Sequence, residues 1–340
     1  MNVYDENGYV DIKAIVETGY PFIFITGGRG TGKTYGALKY VYENKVPFFW
    51  MRRTQDESDL IARPELQPFK AYNADTGHDI QPRTISKKSA GFFDMDADPE
   101  HALGYTCALS TIAAMRGFDA SDIQILVYDE FIPEEHRRPL KAEGAALMNA
   151  YETINRNREL QGREPLQLLA LSNANRLGNE IFMYLGLSQP CADAKQNGEM
   201  FYVDEDRGVL VVMLDDSPIS ERKRNTALYR LADGTAFAGM ALDNDFADLT
   251  EHKSVRRNLR EYVPLVHAGE LYIYRHKSDG RYYVTRKRSG VFRNEYGDSD
   301  TEQRRFTRAY PLLYVYYMKK RVDFSDFVSE ELFKRTYKIT

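Results

Sequence analysis

Residues 27–34 read Gly27-Gly28-Arg29-Gly30-Thr31-Gly32-Lys33-Thr34, which fits the phosphate-binding spacing G-x-x-x-x-G-K-[ST]. Glycines at these places let the backbone curl until successive N–H groups point inward at phosphate oxygens. An apolar run, Phe22 to Thr26, precedes the loop, and a helix-like stretch, Lys33 to Asn44, follows it. The start of that helix adds its partial positive charge at the same spot. In such a loop the lysine, here Lys33, reaches the β- and γ-phosphates, and the hydroxyl, here Thr34, holds Mg²⁺. The ligand class this predicts is a nucleoside triphosphate with magnesium, with ATP as the expected nucleotide.

A second set of chemical groups lies a hundred residues on. Ile125 to Tyr128 is apolar and ends in Asp129-Glu130. An apolar strand closing on two carboxylates is the Walker B arrangement, in which Asp129 joins the Mg²⁺ shell and Glu130 orients and deprotonates the attacking water. A glutamate directly after the aspartate favours ATP hydrolysis over small-molecule kinase chemistry. The next apolar run ends in Ser172-Asn173, a polar pair suited to sensing the γ-phosphate, although Asn is also a common turn residue. Asn155-Arg156-Asn157-Arg158-Glu159 closes a helix-like stretch. Cations there suit the helix dipole. They also suit an arginine finger that enters a neighbour's site to neutralise transition-state charge. Arg29 either acts on phosphate within its own chain or pairs with a carboxylate. Arg52-Arg53, after the strand-like Val46 to Met51, reads either as a solvated strand end or as a point near nucleotide or DNA.

These groups need a rigid frame, and the first 200 residues supply its pattern. Short apolar runs alternate with helix-like segments, the sign of a parallel α/β sheet. Strands are expected over 46–52, 123–128 and 166–171, a helix over 144–156, and a polar, irregular stretch over 55–90 with a hairpin turn at Ser89-Ala90-Gly91. From about 205 the texture changes to strand-like runs at 209–214, 271–274 and 282–285, and the end, 324–337, reads as helix. Two domains are expected, 1–200 and 201–340, with the boundary in the loop around Gln196-Asn197-Gly198.

The 340 residues suffice for two domains, and 43% apolar with 28% charged residues is ordinary for a globular chain. No apolar stretch approaches membrane-spanning length, and the N-terminal Met-Asn-Val-Tyr-Asp-Glu lacks the basic and apolar regions of a signal peptide. Cys107 and Cys191 fit a reducing compartment and make no metal spacing. Residues 251–340 carry 20 Lys+Arg against 12 Asp+Glu, whereas the rest carries 26 against 38. A basic end on an acidic body suggests nucleic-acid contact or a solvated, salt-bridged surface. Arg256-Arg257, Arg286-Lys287-Arg288 and Arg304-Arg305 lie among Tyr282, Tyr283 and Phe306, which suits either phosphate contact with base stacking or an ordinary amphipathic strand surface. Asp243 and Asp245 are too few carboxylates for a two-metal nuclease.

The ordered set of motifs resembles the DNA-encapsidation (packaging) ATPases of small short-tailed phages of the Picovirinae type. The resemblance rests on the loop 27–34 with its internal arginine, Met51-Arg52-Arg53, Val127 to Ile132, Arg156 to Glu159 and Leu171 to Ala174. It continues through Ser220-Glu221-Arg222, Asp233-Gly234-Thr235 and Gly239 to Asn244. It implies an ASCE-type P-loop domain followed by a smaller α+β, RNase H-like domain that has lost its metal carboxylates. It further implies a terminase-like ring motor, pentameric, that docks on the portal of a procapsid and pumps double-stranded DNA inward. Such a motor works in the host cytoplasm, transiently at the portal vertex, and is absent from the mature virion. A packaging RNA is a candidate partner, and no membrane is involved. The resemblance makes Arg156 the trans-acting finger, with Arg158 as the fallback; with Lys33, Glu130 and Asn173, already read from their own motifs, these are the catalytic candidates. Arg137, Arg138 and Lys141 are candidate DNA grips. Two other classes compete: a P-loop helicase or AAA+-type remodeller, and a nucleic-acid-binding module switched by nucleotide.

Overall fold

The computed structural model describes residues 2–115, 120–133, 140, 142–173, 175–215, 217–235, 238, 239, 242, 246–250 and 252–339. The candidate grips Arg137, Arg138 and Lys141, and the carboxylates Asp243 and Asp245, lie outside the described residues.

Uninterrupted apolar runs are the mark of strands buried on both faces, and the runs read from the sequence become the centre of one sheet. Its strands are β1 (Phe22–Thr26), β2 (Phe48–Arg52), β3 (Ile80–Ser86), β4 (Ser89–Asp94), β5 (Gly104–Ala108), β6 (Ile125–Asp129), β7 (Gln167–Ser172), β8 (Phe201–Asp204) and β9 (Val209–Met213). The order across the sheet is β3-β4-β5-β2-β6-β7-β1-β9-β8. From β5 to β9 every neighbouring pair is parallel, and antiparallel strands close both edges. The phosphate-loop strand β1 and the acidic strand β6 are thus separated by β7, the ASCE arrangement expected from the sequence. Side chains of β1 alternate between two cores. Ile23 and Ile25 join Ala37, Leu38 and Val41 of the helix Lys33–Glu43. Phe24 packs edge-on against Phe131 and Phe182 at 5.6 and 5.4 Å.

The chain divides into two compact units, residues 1–185 with 193–247, and 186–192 with 248–340. The sequence placed the division near 200 and assigned 209–214 to the smaller domain. Instead β9 lies beside β1, Phe22 opposite Val209 through Thr26 opposite Met213. A parallel partner needs no local turn, so nothing near 209 announces which sheet it joins. The stretch 55–90 is more ordered than its polarity suggests. It holds the helices Gln55–Ile61 and Lys70–Thr76, the first with a capping box between Thr54 and Glu57. The hairpin turn there falls at 87–88, not 89–91, because Ser86 pairs with Ser89.

In the smaller unit, β10 (Tyr262–Ala268), β11 (Leu271–His276), β12 (Tyr282–Thr285), β13 (Glu295–Tyr296) and β14 (Val322–Phe324) form a sheet ordered β13-β10-β11-β12-β14. The first three make an antiparallel meander and β13 adds parallel to β10. The last strand, β14, lies at the opposite edge, parallel to β12. Phe306, Phe324 and Phe333 fill the core beneath it. No helix among the described residues is long and apolar enough to cross a membrane.

Both cysteines are buried, and burial pushes the Cys107 thiol, on β5, far above its ordinary pKa.

Candidate active site

The loop 27–34 leaves the C-terminal end of β1 and turns into the helix at Lys33 through two left-handed glycines, Gly30 (φ +71°) and Gly32 (φ +86°). A side chain would be strained at either position. Gly27 is fixed by space instead: a Cβ there would stand 2.4 Å from Leu214 Cδ1. Lys33 is almost wholly buried, and its ammonium donates to Gly27 O and Gly28 O, both at 2.8 Å, and to Thr31 Oγ1 at 3.1 Å. Burial, against opposing attraction from Asp129 and Glu130, lowers its pKa to about 7. Among the described residues this lysine rests on its own loop's carbonyls rather than directly on a carboxylate, and phosphate oxygens are the ligand that the loop's shape admits.

Across from the loop, Thr34 Oγ1 lies 3.2 Å from Asp129 Oδ1 at the end of β6. Burial holds the Asp129 carboxyl above the usual carboxylate range, with Arg52 opposing and the charge of Glu130 adding. Glu130 follows in left-handed backbone (φ +59°), a conformation costing about 1–3 kcal/mol for a non-glycine residue. Phe131 N donates to Leu171 O at 3.1 Å and anchors the turn. The bend aims Glu130 toward β7, where Asn173 Nδ2 approaches its Oε1 at 3.5 Å.

From the sequence Arg52 read either as a solvated strand end or as a point near nucleotide or DNA. It is not a solvated end: its two terminal nitrogens fork to Asp129 Oδ2 at 2.8 Å and Glu130 Oε2 at 2.6 Å, beside the loop that Asp129 meets at Thr34. It therefore sets the position of the catalytic candidate as directly as the backbone does. Arg53 points the other way and is buried on Glu143, Nε to Oε1 2.7 Å, an oxygen that Tyr128 OH shares at 3.1 Å. Breaking one side of such a pair costs about 3–5 kcal/mol, because the other charge is left buried. Arg29 is exposed, and its carbonyl accepts from Lys223 Nζ.

The helix Glu143–Asn155 ends in Arg156, which is exposed and left-handed (φ +46°), with Nε on Thr153 O at 3.3 Å. Asn155 Oδ1 accepts from Leu166 N, so Arg156 stands at the start of β7, the end of the sheet away from the phosphate loop. The six residues of β7 separate the two ends by about 15–20 Å. Arg158 is buried and braces the turn before β6 through Ala120 O at 2.9 Å and Ser121 O at 3.2 Å, an internal role that the fallback reading did not foresee.

In the smaller unit the basic clusters are largely spoken for. Arg257 pairs with Asp323 (2.7 Å), Arg286 with Asp326 (3.2 Å), Arg288 with Glu295 (2.9 Å) and Arg305 with Glu302 (2.6 Å). Tyr283 and Phe306 face the core and offer no stacking platform, against the expectation from their spacing.

A phosphate loop and an acidic strand end, parted by one strand that carries a polar Ser172-Asn173 pair, define a P-loop NTPase of the ASCE division. The family model for podovirus DNA encapsidation protein (Gp16) matches residues 5–286, and the chain belongs to that family. The DNA packaging protein of Bacillus phage phi29 is 28% identical over 228 residues, which is 66% of this chain and 61% of that protein's length. That of Bacillus phage B103 is 27% identical over 230 residues, with 66% and 64% covered. The chain thus aligns with less than two thirds of these relatives. Its fold is shared with a subunit of the bacteriophage Phi-29 viral genome packaging motor assembly: TM-score 0.68, 19% identity, 99% of both chains. A chain of the Phi-28 gp11 DNA packaging motor gives 0.62 at 20% identity, over 98% of this chain and 99% of that one.

The lowered pKa of Lys33 has a measurable consequence. Between about pH 7 and 10.5 the unfolded chain holds a proton at this lysine that the empty folded site has released. The burial penalty is thus full below pH 7 and fades as pH rises toward 10.5. Bound triphosphate restores the charge, so titration calorimetry at about pH 8 in buffers of differing ionisation enthalpy should show uptake of close to one proton per nucleotide. Zero uptake would mean that the ammonium is already charged in the empty site.

Proposed function

We propose that this chain is an ATP-hydrolysing motor that translocates double-stranded DNA into a preformed capsid. The observation that carries the reading is the phosphate loop with its buried Lys33 beside the linked set Thr34, Asp129, Arg52 and Glu130 at the mouth of an ASCE sheet, in a chain of the DNA encapsidation family. The residues suit Mg·ATP. Lys33 and the loop N–H groups take the phosphates, and Thr34 Oγ1 and Asp129 Oδ1 are hard oxygen donors already side by side. When bound, the magnesium neutralises charge on the β- and γ-phosphate oxygens. Glu130, turned by its left-handed backbone and held by Arg52 and Asn173, orients a water and takes its proton. Asn173 touches the same carboxylate, so loss of the γ-phosphate can be passed to β7.

Arg156, at the far end of the sheet from its own loop, serves a neighbouring copy, which requires a ring; a pentamer is the working number. Further proposed partners are the portal and a packaging RNA, with action in the host cytoplasm at the portal vertex.

Steady-state ATPase measured over a range of protein concentrations, with and without duplex DNA, tests the reading. Turnover should rise with both. A rate indifferent to DNA and concentration would favour a self-contained nucleotide switch, and unwinding of a forked duplex would favour a helicase.

A further inference from the structure

Beyond β9 the chain stays beside the phosphate loop. Leu214 N donates to Thr26 O at 2.9 Å, and the Leu214 side chain closes on Gly27. A short helix, Pro218–Arg224, then begins at Ser217, whose buried hydroxyl donates to Gly8 O at 2.7 Å. The N-terminal segment bearing Gly8 is itself bonded to the loop, Val10 N to Thr31 O at 2.8 Å. This helix is therefore fixed against the loop from two sides, and it delivers Lys223.

The Lys223 ammonium donates to Arg29 O and lies 5.1 Å over the Tyr229 ring. It stands 3.4 Å from where a Gly30 Cβ would be. Its charge is near enough to Lys33 to help lower that lysine's pKa, and its own pKa is lowered by burial. Two ammonium groups thus crowd one glycine-rich loop, each resting on a loop carbonyl. A triphosphate held by the loop would meet positive groups brought by two separate elements, Lys33 from the helix that follows the loop and Lys223 from the helix that follows the sheet.

We propose that Lys223 is a second phosphate-binding lysine of the nucleotide site, contacting the phosphate chain from the segment that follows the sheet. The proposal rests on reading residues 27–34 as a nucleoside-triphosphate site. Because Lys223 belongs to a helix outside the sheet, its contact makes the position of residues 217–231 depend on whether phosphate is present.

The test measures equilibrium binding of a fluorescent, slowly hydrolysed ATP analogue with magnesium. It compares wild type with Lys223→Met, Lys223→Arg and Lys33→Ala, together with nucleotide-free melting of each and binding of duplex DNA. Lys223→Met keeps the apolar stem over Tyr229 and removes the charge. Affinity for the analogue should fall roughly tenfold or more in Lys223→Met. Lys223→Arg should bind as wild type does, and the melting temperatures of both should match wild type. Wild-type analogue binding by Lys223→Met, with Lys33→Ala defective, overturns the proposal and leaves the site reading standing. A lowered melting temperature that arginine does not rescue makes Lys223 structural and also overturns it. Loss of DNA binding with nucleotide binding intact does the same. If wild type itself binds no triphosphate, the site reading fails first.

Discussion

Mixing Arg156→Ala chains with Lys33→Ala chains should restore ATP hydrolysis that neither shows alone. The expectation follows from placement. Arg156 caps the helix Glu143–Asn155 beside Leu166, at the start of β7, whereas Lys33 stands beyond its end. About 15–20 Å of strand separates them within one chain, too far for a guanidinium to reach its own bound phosphate. A site completed in trans needs a working Lys33 from one subunit and a working Arg156 from the next, and the mixture supplies both. Alone, Arg156→Ala should keep its nucleotide affinity and lose on the order of 10³-fold in rate, the scale of an arginine finger. Rate recovery on mixing, read as phosphate release, is the check. If Arg156→Ala turns over at the wild-type rate, or the mixture stays dead while each chain still assembles, the finger lies elsewhere.

Glu130→Gln should bind ATP and fail to cleave it. Glutamine preserves the size of the side chain and can still meet Asn173, but it cannot accept a proton from water. It also removes the charge that Arg52 grips at 2.6 Å. Loss of a positioned general base is worth about 10²–10⁴-fold. Single-turnover hydrolysis with bound radiolabelled ATP separates the chemical step from binding. A variant that retains more than about a tenth of the wild-type cleavage rate would remove Glu130 from the mechanism and turn attention to Asp129 or Arg52.

How much of this was open to a reader of the sequence depends on how local each feature is. The phosphate loop, β1 and β6 are written in contiguous residues, and each lies where the pattern put it. The observed helix Glu143–Asn155 and strand β7 fall within a residue of their expected bounds for the same reason. Arg52 and Arg53 show the limit. Adjacent in sequence, they point to opposite sides of β2, one to Asp129 and Glu130 and the other to Glu143. Alternation along a strand predicts that divergence, but not which carboxylates wait 77 and 90 residues away. Lys223 is beyond reach altogether, since it meets the loop only because β9 pairs with a strand formed nearly two hundred residues earlier. The misplaced domain boundary has the same origin. A strand that joins a sheet by parallel pairing carries no local sign of its partner.

The buried thiols give the chain a property useful at the bench. Cys107 sits on a central strand with its thiol held protonated, and Cys191 is equally enclosed. Reaction with a maleimide needs both access and thiolate, so the folded protein is chemically silent toward such reagents. A single cysteine introduced at an exposed position would then carry a dye by itself, with neither native residue removed. Any slow labelling of the unaltered chain would count the moments at which its interior opens.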